Sequence, residues 1–498
     1  MVLVYLLTII ITGTWVIKII NHKSLIINHT PLDIPLLLFL ASQILSSIFS
    51  IDRHTSIWGY YSRSNGGLLS IISFSLLYWA LVSNLNKVRV IKLLKIGLVS
   101  GAIISLWGIL EHFGVSPSCV ILRQELNASC WVQDVAARVF ATLGQPNWLA
   151  TYLGMLIFPA IYFAVTSTVK VTSDKKLQLV TSYLLPVILY LAFTFTYSRG
   201  ATLGLIGGMA VFLTFYFVRN TQKDSENQKI RVSDIQKIRL SDLLIHPALR
   251  VLLSFLIINL IFGSALTRFD ISKLLPTSTS KVESPNTFEV SPNVTQLEAG
   301  GTESGQIRFI VWAGALDIFK HYPIFGSGVE TFAYSYYQFR PIAHNLVSEW
   351  DFLYNKAHNE YLNYLSTTGI VGFGSYLFMI GTFLLWSIKY YISSIKQKNH
   401  NTYYLILTTS LLASYISYLV SNFFGFSVVI TALFFFLFPA MAFVITGSTS
   451  TIHLPRFAKR ALSIIYRHPK ISKFFLLLVT CYFPFYGFGM LILFLVVA

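Results

Sequence analysis

His358-Asn359-Glu360-Tyr361 carries the chain's most suggestive chemistry, because a long apolar run, Gly369 to Tyr390, follows it almost at once. That run is long enough to cross a bilayer, so the imidazole is expected at a membrane surface. An imidazole titrates near neutrality and can take or give a proton there. A second feature is Thr196-Tyr197-Ser198-Arg199-Gly200, which lies between two apolar runs with almost no loop to spare. Arg199 is therefore expected at or just below an interface, where an arginine is costly unless paired or functional. Guanidinium grips phosphate oxygens in a bidentate manner. A structural snorkelling arginine is the alternative.

The elements that must position these residues are helices in a membrane. The chain is 54% hydrophobic and only 11% charged. Twelve apolar stretches, near 2–20, 32–50, 67–84, 93–111, 147–165, 179–197, 201–218, 250–267, 369–390, 403–422, 427–446 and 474–497, have about the length that spans a hydrocarbon core. Because a spanning chain must satisfy its backbone internally, the expectation is one all-α polytopic integral membrane domain over 1–498, with about 12 transmembrane helices.

The net charge of +17 is not a nucleic-acid signal, because the charges separate by loop. One alternate set of loops (18–30, 85–95, 166–178, 219–250, 389–400 and 456–473) holds 25 Lys and Arg against 5 Asp and Glu, net +20. The rest of the chain is net −3. Positive loops stay cytoplasmic. The basic loop 219–249 is thus expected inside, on anionic lipid, and the long segment 268–358 outside. Twelve spans in this orientation put both termini outside, as a chain lacking a first helix or a C-terminal external domain would.

The outer face then gathers candidate residues. The loop Trp58-Gly59-Tyr60-Tyr61-Ser62-Arg63-Ser64-Asn65-Gly66-Gly67 mixes aromatics with Arg63, as an interfacial anchor does or as a loop gathering an anionic head group would. Arg138 precedes Gly144-Gln145-Pro146-Asn147, a helix-start signal. Cys119 and Cys130 share one outer loop and could pair in an oxidising compartment, and Cys481 reads as a small residue inside the last span. Residues 274–304 read as a flexible external loop. From Gly305 onward Ile307, Ile310, Val311 and Ile318 recur at helical spacing, with Arg308 and Trp312 four apart. An amphipathic helix on the outer leaflet is expected. The turn Pro323-Ile324-Phe325-Gly326-Ser327-Gly328 could expose amides to an anion. Glu349-Trp350-Asp351 is the nearest approach to a metal-holding acidic pair, and it reads as a solvated loop.

Taken together, Trp58–Gly67, Arg138–Asn147, Ser198-Arg199-Gly200 and Arg308 through Gly372 resemble the O-antigen ligase and polymerase family of bacterial envelope glycosyltransferases. The last block is the most specific. It joins Arg308-x-x-x-Trp312, Pro323-x-x-Gly326-x-Gly328 and His358-Asn359…Gly369-x-x-Gly372 in order. Phe373 departs from the Thr or Val that ligases often carry after the second glycine. The resemblance implies a fold related to the GT-C class and a polyprenyl-diphosphate-linked glycan donor. The implied acceptor is a lipid A core, a growing polysaccharide or a protein. It also implies no metal or other cofactor and residence in the bacterial cytoplasmic membrane with the site facing the periplasm. Within that family His358 would be the catalytic base and Arg199 and Arg308 the diphosphate clamp, with Arg63, Arg138, Asn359 and Glu360 as further candidates. The competing class is a multi-span solute carrier, bicarbonate-like. A coupled carrier usually holds ionisable residues near the bilayer midplane, whereas Lys18, Asp33, Lys95, Glu111 and Lys389 all lie near span ends.

Overall fold

A computed structural model describes residues 1–22, 28–61, 64–127, 130–131, 133–167, 175–227, 247–266, 304–396 and 402–451. The chain is an all-α polytopic membrane protein. Its helices are α1 (Val2–His22), α2 (Asp33–Ile48), α3 (Arg53–Trp58), α4 (Leu68–Asn84), α5 (Lys87–His112), α6 (Pro117–Arg123), α7 (Pro146–Ser167), α8 (Lys175–Phe195), α9 (Arg199–Asn227), α10 (Pro247–Phe262), α11 (Ser304–His321), α12 (Phe332–Phe339), α13 (Glu360–Lys396), α14 (Thr402–Phe423) and α15 (Val429–Thr446). Among the described residues, seven helices are long and apolar enough to cross a membrane and four shorter apolar helices accompany them. Eleven of the twelve expected stretches coincide with these helices. The twelfth, 474–497, lies outside the described residues, as do Cys481, residues 274–303, Arg63 and residues 228–246 of the basic loop. The start of that basic loop is the continuation of α9, which runs to Asn227.

Helices α7 and α14 form the centre, with 83% and 78% of their apolar windows buried, whereas only 11% of the α1 window is buried and its flank is left for lipid. Close approach at the centre depends on small residues, as helix contacts in lipid do. A Cβ added at Gly208 would lie 2.6 Å from the Ala413 carbonyl oxygen, and one at Gly204 would lie 2.4 Å from that of Ser417. Ser414 Oγ reaches across to donate to the Met155 carbonyl at 2.6 Å.

Loops of alternate connections meet at the two ends of the bundle. At one end Ile51 N–H bonds to Ser327 O (2.9 Å), Ser56 Oγ to Val329 O (2.8 Å) and Val139 N–H to Phe195 O (3.2 Å). At the other, Asn28–His29 pairs antiparallel with Ser450–Thr451, and Lys18 donates to Asn84 at 3.0 Å. The first end carries all the described candidate residues. Cys119 and Cys130 are bonded there as a disulfide, with a Cα–Cα separation of 5.5 Å.

Helix α11 corrects one expectation. Its Ile307, Val311 and Ile318 face is buried, but against protein rather than lipid. It packs on Phe332, Tyr336, Val347, Tyr354 and Ala357, a small core of its own. Burying that face in protein takes Ile307, Val311 and Ile318 out of reach of a leaflet, leaving Phe309 and Leu316 exposed, and fixes Arg308 relative to the rest of the domain.

Candidate functional site

Arg199 opens α9 with only three residues between it and Phe195, where α8 ends. The reversal is so tight that Tyr197 adopts a left-handed backbone, φ 47°, which is uncommon for a bulky side chain. Three contacts hold it there. Tyr197 donates its hydroxyl to Phe262 O (3.2 Å) and Ser198 donates to Asn147 Oδ1 (2.8 Å). Gly200 lies so close to Phe424 that a Cβ would sit 2.7 Å from its side chain. Arg199 itself is exposed. An arginine at a helix N-terminus adds to the partial positive charge already there, so the position suits an anion better than an ion pair within the helix.

Arg138 comes to the same place from a different loop, and its Nε donates to the Thr196 carbonyl at 3.2 Å. Desolvation, followed by repulsion from Arg199 and Arg308, pulls its pKa below the ordinary value. Arg138 thus stands near enough to Arg199 and Arg308, from two distant stretches, to feel both charges. Like charges gathered in this way cost free energy unless something negative is to be bound.

Arg308 is half-buried. Desolvation lowers its pKa, while Tyr354 and Glu349 act against that shift. Glu349 is therefore not a residue of a solvated loop. Its carboxylate accepts the Tyr354 hydroxyl, and desolvation together with that carboxylate holds the Tyr354 phenol well above its usual range. Trp350 and Asp351 do remain exposed. Behind Glu349, His344 is fully buried, with Nδ1 2.6 Å from the Tyr336 hydroxyl and Nε2 3.1 Å from the Glu349 carbonyl. A carbonyl only accepts, so Nε2 carries the proton and Nδ1 accepts from Tyr336. Burial lowers the His344 pKa and keeps the ring neutral.

His358 lies between two aromatic edges, Tyr354 at 5.4 Å and Phe426 at 5.2 Å between ring centroids, and Phe426 in turn meets Trp148. Its backbone is left-handed, φ 52°. A strained residue of this kind persists only where its surroundings over-determine it. Tyr354 links it to Arg308, so the structure brings His358, Arg308, Arg199 and Arg138 to one end and one neighbourhood.

The two residues after His358 are committed elsewhere. Asn359 caps α13, its Oδ1 accepting from the N–H groups of Tyr361 (3.0 Å) and Leu362 (3.1 Å). Glu360 accepts from the N–H of Ser427 (3.2 Å) and from its hydroxyl.

The Gly326-Ser327-Gly328 turn is also committed. The Ser327 and Gly328 amides donate to the carbonyls of Ser366 (3.1 Å) and Thr367 (2.9 Å), and so are not available to an anion. The turn docks into a break in α13 at Gly369, where φ is 62°. Ile370 and Val371 donate there to Pro323 and Ile324 (2.9 and 3.2 Å), and a Cβ on Gly369 would strike the Ile324 carbonyl oxygen at 2.3 Å. Both glycine motifs are thus halves of one joint, which sets the angle at which α13 carries His358.

Sequence reasoning passed over Tyr354, His344 and a buried ion pair between Lys356 and Glu330. The only hint was local, since Tyr354 and Lys356 lie within four residues of His358.

Residues 184–377 match the family model described as O-Antigen ligase. That part of the chain is similar to the O-antigen ligase family, and it includes Arg199, Arg308, His358 and both halves of the glycine joint, with Arg138 outside it. No curated protein matches the chain.

Proposed function

We propose, from a chain whose residues 184–377 are similar to the O-antigen ligase family, that the protein is a membrane glycosyltransferase with a polyprenyl-diphosphate-linked glycan as donor. The acceptor is a lipid A core, a growing polysaccharide or a protein side chain, and transfer takes place at the outer face of the bacterial cytoplasmic membrane. The observation that carries this proposal is the convergence of Arg138, Arg199 and Arg308, close enough to perturb one another, beside the segment that bears His358.

As the sugar–phosphate bond breaks, negative charge grows on the departing diphosphate. Guanidinium groups set in place beforehand stabilise that charge without reorganising during the reaction, and so the clamp needs no metal ion. His358 removes the proton from the acceptor hydroxyl. The hydroxyl oxygen attacks the anomeric carbon opposite the diphosphate, which leaves with the bonding electron pair, and the anomeric centre inverts. Burial of the membrane helices in a GT-C-like bundle supplies the frame. The segregation of basic loops to the other end and the disulfide at the site end support an external site. The family match lends nothing to the solute-carrier alternative.

Transfer in cells, scored at matched membrane expression, tests the assignment. His358→Ala is expected to lose about 10²–10⁴ in rate, and Arg199→Ala is expected to be severely impaired. Near-normal transfer by the histidine variant would remove His358 from the chemistry.

A further inference from the structure

Beside the His358 segment lies a partly enclosed chamber of about 50 Å³, built from α2, the Asn65–Ile71 stretch, Val329–Glu330, the start of α13 and Ser427. Two carboxylates, Glu330 and Glu360, and one ammonium, Lys356, line it. Lys356 pairs directly with Glu330, and its charge also reaches Glu360. Among the described residues one ammonium thus faces two carboxylates, and because burial favours the uncharged form of Glu360, an ionised Glu360 needs a further positive charge beside it. An uncompensated charge there costs several kcal/mol.

The neutral groups facing the chamber are short of partners. Gln43 is fully buried, and its Oε1 has no hydrogen-bond partner; the Asn65 Oδ1 is in the same position. The orientation of Gln43 follows from its neighbour. Ser42 gives its only proton to the Phe39 carbonyl (2.6 Å), so it can only accept from Gln43, whose Nε2 lies 3.2 Å away. The amide oxygen is therefore the free end. Tyr376, also buried, contributes a hydroxyl with no partner.

We infer that this chamber binds one monovalent inorganic cation of sodium or potassium size, held by oxygen atoms of Gln43, Asn65, Glu330, Glu360 and Tyr376. Charge sets the valence, because a single positive unit neutralises the site and a divalent ion would over-compensate it. The volume of about 50 Å³ accommodates such an ion together with water beside it. The unpartnered acceptors set the chemistry, since hard cations take carboxylate, amide and hydroxyl oxygens. Such an ion would tie together four segments of the chain directly behind His358. The inference does not depend on the transfer reaction.

The full-length protein in detergent micelles or nanodiscs is titrated with sodium, potassium or choline chloride at constant ionic strength and pH, and its unfolding midpoint is followed. The midpoint is expected to climb and saturate with sodium or potassium and to stay flat with choline, as linkage to a bound ion requires. Gln43→Leu and Glu360→Gln are each expected to remove that dependence. Binding of radiolabelled sodium or rubidium to the wild-type chain, expected at one ion per chain, decides the matter independently of whether either variant folds. Equal midpoints in all three salts, a dependence on pH alone (which would mean a proton on Glu360), or no bound label would overturn the inference.

Discussion

The segment from Tyr354 to Glu360 has two unlike sides. On one, Arg138, Arg199 and Arg308 stand against a single carboxylate, Glu349, in a region where Arg199 is exposed. On the other, Lys356 pairs with Glu330 and faces Glu360 inside a partly enclosed chamber. The first arrangement is under-neutralised by anions and open to them. The second places two carboxylates against one ammonium and is lined by buried oxygens without partners. The contrast shows how one short stretch can serve both recognition and rigidity. Under the proposed function its open side meets the substrate, while its buried side packs against the left-handed Glu330 and its own left-handed His358 holds a backbone conformation it would not adopt alone.

The sharpest way to break this contrast is to alter the positive side without altering its charge. Arg308→Lys keeps the cation but loses the planar fork. It is expected to cut transfer by about 10²–10³, the range for losing a preorganised donor to developing charge. Wild-type rates in that variant would mean that the arginines supply only a diffuse field. Orientation can be broken as decisively. A single cysteine replacing Ile342, which is 82% exposed at the site end, should react with a membrane-impermeant reagent in intact cells. One replacing Val88, 62% exposed at the opposite end, should not, and the reverse pattern would put the cleft inside the cell.

A finer probe is Tyr354→Phe, which removes the hydroxyl given to Glu349 and keeps the ring edge against His358. Loss of one hydrogen bond to a charged group predicts about a tenfold fall in rate, with membrane expression unchanged. The smallest effect is expected from His344. Its folded pKa lies below the ordinary histidine value because it is buried. The unfolded chain therefore binds the proton more readily, and the contribution to stability is present above the unfolded pKa and lost as pH falls through and below it. Unfolding midpoints from neutral to mildly acidic pH should drop for the wild type and drop less steeply for His344→Gln. Parallel slopes would show that another group controls the acid limb.

Much of the membrane architecture was legible in the chain, because apolar runs and loop charge act locally. Ile307, Val311 and Ile318 announced α11 by their spacing, yet spacing says only that a face will be buried. Whether lipid or protein buries it depends on α12 and the Val347–Ala357 stretch folding back over it. The Gly326-Ser327-Gly328 turn shows the same limit. Its glycines promised unusual backbone, but its amides were claimed by Ser366 and Thr367, 39 residues away in each case. Asn359 stood among the candidate site residues, and its hydrogen bonds to Tyr361 and Leu362 make it a helix cap.

What the sequence determined by itself was the class of solvent each stretch prefers, which end of the bundle the basic loops occupy, and the presence of His358 and the arginines near span ends. These follow from transfer free energies that each residue carries wherever it sits. Only the tertiary structure decided that Arg138, Arg199 and Arg308 meet, that Glu349 and Tyr354 stand beside them, and that Lys356 is shared between Glu330 and Glu360. Those outcomes depend on distances between residues far apart in the chain. Electrostatic interactions fall off with distance and with the dielectric around them, so a charge has no partner until folding supplies one.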